Sequence, residues 1–159
     1  MSKGMPDPVK AFWSRFLSSC EDPGSADARF LETFAIGTTP ESADHGAALI
    51  LSGEKTATSA LLWEYESSGN RPPYAGALSI LLDGRGEAIC VVESTQVEVK
   101  PFGEVDELFT RRYGECDGSV QGWRRLCWPI YERQCRDLGK TASMQMPLVC
   151  ELFRVVYRG

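Results

Sequence analysis

Val9, Phe12, Trp13, Phe16 and Leu17 recur at three- and four-residue spacing within DPVKAFWSRFLSSC. That stripe predicts an amphipathic helix with its apolar face on the body of the protein. A loop at EDPGSADA follows, and RFLETFAIG reads as a short extended segment. Thr39-Pro40-Glu41 places a capping hydroxyl, a first-turn proline and an acid at the positive end of a helix dipole. Ala43, Ala47, Ile50 and Leu51 continue this second helix, and Gly53 is its natural stop. Beyond it, Ala60, Leu61, Trp63 and Glu64 fit one or two helical turns before SSGNRPPYAG ends any helix.

From there the period changes to two. ALSILLDGRGEAICVVESTQVEVKPF holds two apolar runs joined by Asp83-Gly84-Arg85-Gly86, a hairpin signal. The second run ends with Val97 and Val99 alternating with Gln96, Glu98 and Lys100, and a bend is expected near Ser94-Thr95. Val105, Leu108 and Phe109 form the next helical face. A longer helix, capped by Asp117 or Ser119, is expected to bury Val120, Trp123, Cys127, Ile130 and Tyr131 and to kink or break at Pro129. The closing PLVCELFRVVYR is β-prone and long enough to pair with the hairpin. This order predicts an α+β fold with a mainly antiparallel sheet, and curling that sheet into a small barrel would remove its exposed edges.

Composition narrows the classes. A chain of 159 residues with 43% hydrophobic content builds one core. The net charge of -5 leaves no global field for a long polyanion, so any nucleic-acid contact must be local. Arg111, Arg112, Arg124, Arg125, Arg133 and Arg136 gather either as one basic lobe or as ordinary decoration of helix faces. The six cysteines form no CxxC pair and His45 is the single histidine, read as a surface residue, so zinc-site spacing is missing and no metal or cofactor is expected. With no signal-like apolar core and no run of about 20 apolar residues, the expectation is a cytoplasmic protein with free, buried thiols and no membrane partner.

The chemistry concentrates in LSGEKTATSALLWEYE. Lys55 follows a helix C-terminus, where a cation is favoured, but the dipole does not account for Thr56, Thr58 and Ser59. An amine and a hydroxyl could gather here at a pocket mouth, or Lys55 could be a surface cation and Thr58 a helix cap. Residues three apart on a straight strand face opposite ways, so Lys55 and Thr58 need a turn or bulge to meet.

Taken together, GEKTATSALLWEYE, YAGALSILLDGRGEAICVVESTQVEVKPF, YGECDGSVQGWRR and PLVCELFRVVY resemble the ASCH domain family, relatives of the PUA domains, over roughly residues 31 to 158. The resemblance implies a small PUA-like β-barrel with flanking helices, residues 1–30 forming a helical extension and 31–159 the domain. It implies a cleft beside the lysine turn and an association with RNA. Some members are ribonucleases, and some small bacterial members are amidohydrolases acting on N-acetylated cytidine. In those, a lysine, a threonine three residues on and a glutamate after the sheet form the catalytic set, which falls here on Lys55, Thr58 and Glu115. The chain departs from the family pattern at Cys127, where a histidine is common.

A lysine can take a proton from a threonine only if desolvation or nearby cations depress its pKa. Glu115 could protonate a leaving amine or hold Lys55 as an ion-pair partner, unless it merely belongs to an acidic turn with Asp117. Trp63 and Tyr65 follow closely enough for one to stack on a base, although core packing suits Trp63 better; Arg124 and Arg125 could hold a phosphate. The expected ligands are a modified nucleoside or single-stranded RNA. Deacylation of N-acetylated cytidine leads, because an acidic chain suits a small substrate better than a long polymer. A non-catalytic RNA-binding module and a metal-independent ribonuclease are the competing classes. From the site reading, Lys55→Met is expected to abolish turnover while leaving stability within about 1 kcal/mol, as for a surface or cleft change, and a large loss of stability instead marks Lys55 as structural and counts against its catalytic assignment.

Overall fold

A computed structural model describes residues 4–159. The helix expected first is α1 (Asp7–Ser19), and it buries Val9, Phe12, Trp13 and Phe16. These side chains cover Leu78, Ile80 and Val91 of the sheet. A short helix α2 (Pro23–Ala28) is held to α1 by the Trp13 indole, which donates to Asp27 at 2.8 Å, and leads into strand β1 (Phe30–Phe34).

Helix α3 (Pro40–Ser52) begins where its capping signals lie. Thr39 Oγ1 accepts from the Ser42 N–H at 3.1 Å and Ser42 Oγ accepts from the Thr39 N–H at 3.0 Å, a reciprocal cap. Gly53 closes the helix at φ +84°, a conformation that favours glycine. Ala47 and Ile50 then pack on Leu81, Cys90, Val92 and Phe153.

The next segment differs from the sequence expectation. Residues Ala57–Leu61 are strand β2, and helix α4 starts only at Leu62 and runs to Ser68. Local helical spacing lost to tertiary pairing: β2 lies antiparallel to the last strand and buries Ala57 and Leu61 completely. The hairpin forms as β3 (Leu78–Leu82) and β4 (Ala88–Pro101), and a short 3-10 turn at Phe102–Glu104 leads on to helix α5 (Glu107–Tyr113). Helix α6 (Val120–Asp137) is capped by Ser119 and continues through Pro129 without ending there. Pro129 lies on the exposed side of that helix. Leu108 and Ile130, expected inside, are 73% and 39% exposed.

The closing strand β5 (Pro147–Arg158) completes a five-stranded sheet in the order β1-β3-β4-β5-β2. Only β1 and β3 run parallel; the other pairings are antiparallel. The expected closed barrel does not form: among the described residues no pairing joins β1 to β2, and the sheet is open and mixed. Its β4–β5 ribbon shifts register between Val91 and Val92 and again between Ser94 and Gln96, which bends the sheet near the expected position. The 3-10 turn and helices α5 and α6 cover the β2–β5 side through Phe102, Phe109, Trp123 and Tyr131, with the Phe102 and Trp123 rings 4.9 Å apart. All six cysteines are free, with Cys90, Cys127, Cys135 and Cys150 buried. Among the described residues no helix is long and apolar enough to cross a membrane.

Candidate functional site

The two free sheet edges face one cleft of about 660 Å³, with Glu32 and Phe34 of β1 on one side and Thr58 to Leu61 of β2 on the other. Such a volume suits a small-molecule ligand. Helix α6 closes one flank with Leu126, Ile130 and Tyr131, and Tyr65 of α4 reaches in as well.

At the end of the cleft that Glu115 lines, Lys55 is fully buried. Its ammonium lies 2.7 Å from Glu115 Oε2, donates to the Tyr113 carbonyl at 3.0 Å and sits 3.5 Å from the centre of the Tyr113 ring. That carbonyl belongs to the last residue of α5, so the lysine neutralises the C-terminus of α5 rather than that of α3. The backbone enforces the approach. Thr56 N–H donates to the Arg112 carbonyl at 2.8 Å, and Gly114 at φ +76° leaves room where a Cβ would meet Glu54 O at 2.5 Å and Lys55 Cα at 2.9 Å. Burial pushes the Lys55 pKa below the ordinary lysine value, and the Glu115 carboxylate pulls it partly back.

Thr58 stands in β2 directly opposite Glu151 of β5, so the two share a face of the sheet, and both line the cleft. Glu151 accepts from the Ser94 hydroxyl. Burial raises its pKa, against the opposing influence of Ser94 and Lys55. Across the cleft, burial and the charge of Glu151 raise the Glu32 carboxyl. The Tyr65 phenol is pushed to about 12 by burial and then by Glu32 and Glu151. On the α6 side, Ser59 and Tyr131 share a hydrogen bond of 2.5 Å. Cys127 stands 3.6 Å from the Tyr113 hydroxyl, and burial holds its thiol at about 12, too high for an active thiolate at neutral pH.

Of the residues picked from sequence, the structure therefore joins Lys55 to Glu115 and gathers Thr58, Tyr65 and Glu115 on the cleft. It does not bring the others there. Trp63 packs against the α6-side core with the Lys140 ammonium 5.3 Å from its ring, Arg124 donates to the Gly103 carbonyl at 2.9 Å, and Arg125 is exposed; none of the three lines the cleft. Sequence reasoning missed Glu32 and Glu151. Each is a lone acid inside an apolar strand, FLETF and PLVCELF, and that interruption was the available signal. Among the described residues no three His, Cys, Asp or Glu side chains gather as metal ligands.

Fold and cleft together define an α+β protein with a carboxylate-rich, ligand-sized site between open sheet edges. The family model of the ASCH domain matches residues 32–157. The solved ASCH domain from Lactobacillus crispatus JV V101 is 31% identical, with a TM-score of 0.90 and 98% of each chain covered. A solved protein from Enterococcus faecalis V583 is 26% identical, with a TM-score of 0.82 and coverage of 96% of this chain and 94% of that one. No curated protein matches the sequence. The chain belongs to the ASCH domain family.

Proposed function

We propose that the cleft binds a nucleoside or an unpaired RNA base and that it removes an acyl group from the exocyclic amine of cytidine. The observation that carries this reading is Glu115 on the wall of a nucleoside-sized cavity, 2.7 Å from the ammonium of Lys55, which is fully buried and does not itself line the cavity. The cleft's acids and the absence of arginine from its lining favour an uncharged ligand over a polyphosphate chain.

In this reading the Thr58 hydroxyl attacks the acyl carbonyl carbon. Burial favours the neutral amine of Lys55 and Glu115 favours the ammonium, a balance that suits the pair to receiving the Thr58 proton and delivering it to the leaving nitrogen. As the C–N bond breaks, cytidine departs with its amine restored. Water then cleaves the threonyl ester, releasing the carboxylic acid and returning the hydroxyl. Among the described residues Thr58 makes no hydrogen bond to Lys55 or Glu115, and catalytic hydrogen bonds often tighten only with substrate bound.

The test is incubation with N-acetylcytidine while cytidine release is followed, with Thr58→Ala alongside. Turnover by the wild type and its loss in the variant support the reading. Turnover by neither, with short single-stranded RNA still bound, assigns the protein to the non-catalytic RNA-binding class. Cleavage of that RNA instead assigns it to the ribonucleases.

A further inference from the structure

Release of cytidine leaves the acyl group on Thr58, and the water that removes it needs a base. The sheet places a carboxylate beside that oxygen. Glu151 of β5 is the residue directly opposite Thr58 of β2, and both side chains line the cleft. Cross-strand partners hold their Cβ atoms about 4.5 to 5.5 Å apart, which leaves a glutamate carboxylate within one water of the threonine oxygen. The buried Ser94 hydroxyl donates to Oε2 of Glu151 and fixes the carboxyl, and among the described residues Oε1 makes no hydrogen bond. The other acids of the cleft are placed differently. Glu115 is held by Lys55 at 2.7 Å, Glu64 belongs to α4, and Glu32 belongs to β1 at the opposite edge of the sheet.

We propose that Glu151 is the general base of the second half-reaction, activating the water that cleaves the acyl ester on Thr58. This inference rests on the deacylase reading of the cleft. It divides the work between two carboxylates: Glu115, with Lys55, serves the leaving nitrogen, and Glu151 serves the water. In the step itself the Glu151 carboxylate takes one proton from water as the water oxygen bonds to the acyl carbon. The tetrahedral intermediate then collapses, the bond from that carbon to Thr58 Oγ1 breaks, and Oγ1 takes the proton back from Glu151. The carboxylic acid leaves, and both side chains return to their starting forms. Burial raises the Glu151 pKa, which strengthens the carboxylate as a base, and Ser94 and the Lys55 charge oppose that rise and favour the ionised form a base requires.

Loss of a general base slows its own step by roughly 100- to 10,000-fold and leaves the other step running. The experiment is rapid mixing of N-acetylcytidine with the intact protein, wild type beside Glu151→Gln, following cytidine release from the first turnover onward. The expected result is that Glu151→Gln releases about one cytidine per chain in a burst and then turns over at least about 100-fold more slowly than wild type. The stalled variant carries an acetyl group that peptide mass mapping locates on Thr58. Hydroxylamine, a nucleophile that needs no such base, removes the acetyl group as its hydroxamate and restores cycling. A purely structural role for Glu151 would give neither the burst nor the rescue, and the burst itself shows that the variant is folded. Loss of the burst together with turnover, or steady turnover within a few-fold of wild type, overturns this inference and leaves the deacylase reading standing. A wild type that releases no cytidine overturns both.

Discussion

Lys55 shows how burial changes the meaning of a residue. As a lysine at a cleft surface its removal is nearly free, but in the structure it is fully buried against Glu115, Tyr113 and the end of α5. Lys55→Met strands the Glu115 carboxylate and a helix-end carbonyl, so the expected loss is about 3 kcal/mol rather than 1. Adding Glu115→Leu removes the stranded charge and recovers part of that loss; urea unfolding of the single and double variants checks it. Glu32 makes an opposite prediction. Its pKa is raised in the folded state above the ordinary 4.5, so between 4.5 and the raised value the native protein holds more protons than the unfolded chain. Stability from this group is present below pH 4.5 and is lost as pH rises through the folded pKa. Glu32→Gln therefore melts at a higher temperature than wild type at pH 7, and the difference closes below about pH 4.5. Thermal melts across that range give the answer.

Elements were legible where their signals are local. Helix α3 could be read from Thr39, Pro40 and Gly53 because caps act on their own turn. The hairpin turn was legible for the same reason. Strand β2 was not, because what makes ATSAL a strand is β5, about 90 residues away, and nothing local records that partner. The site divided in the same way. Lys55 and Thr58 stood out within one turn and Glu115 came from family resemblance, whereas Glu32 and Glu151 belong to a site only once the sheet brings its edges to a shared cleft. Two substitutions test how elements support that cleft. Gly114→Ala puts a methyl into the Glu54 carbonyl at a positive φ, so it should cost about 2 kcal/mol or more and should reduce turnover as well, because the displaced backbone carries Lys55. Pro129→Ala restores an N–H within α6 and should add about 1 to 3 kcal/mol with the cleft unaffected. Denaturation midpoints and turnover measured together separate the two.

For the whole molecule the argument concerns charge. The chain carries -5 overall and its cleft is lined with carboxylates, so a ligand seated there gains little from long-range attraction. The arginines expected to hold phosphate lie elsewhere, Arg124 on a backbone carbonyl and Arg125 in solvent. The cavity walled by the free sheet edges, about 660 Å³, falls in the range of small-molecule sites. The most direct measurement is titration with N-acetylcytidine, on Thr58→Ala so that ligand persists, at 50 mM and again at about 200 mM salt, beside a short single-stranded RNA. The account predicts saturable nucleoside binding with a Kd that is nearly unchanged between the two. Absence of nucleoside binding, together with RNA affinity that collapses as salt is added, would contradict it.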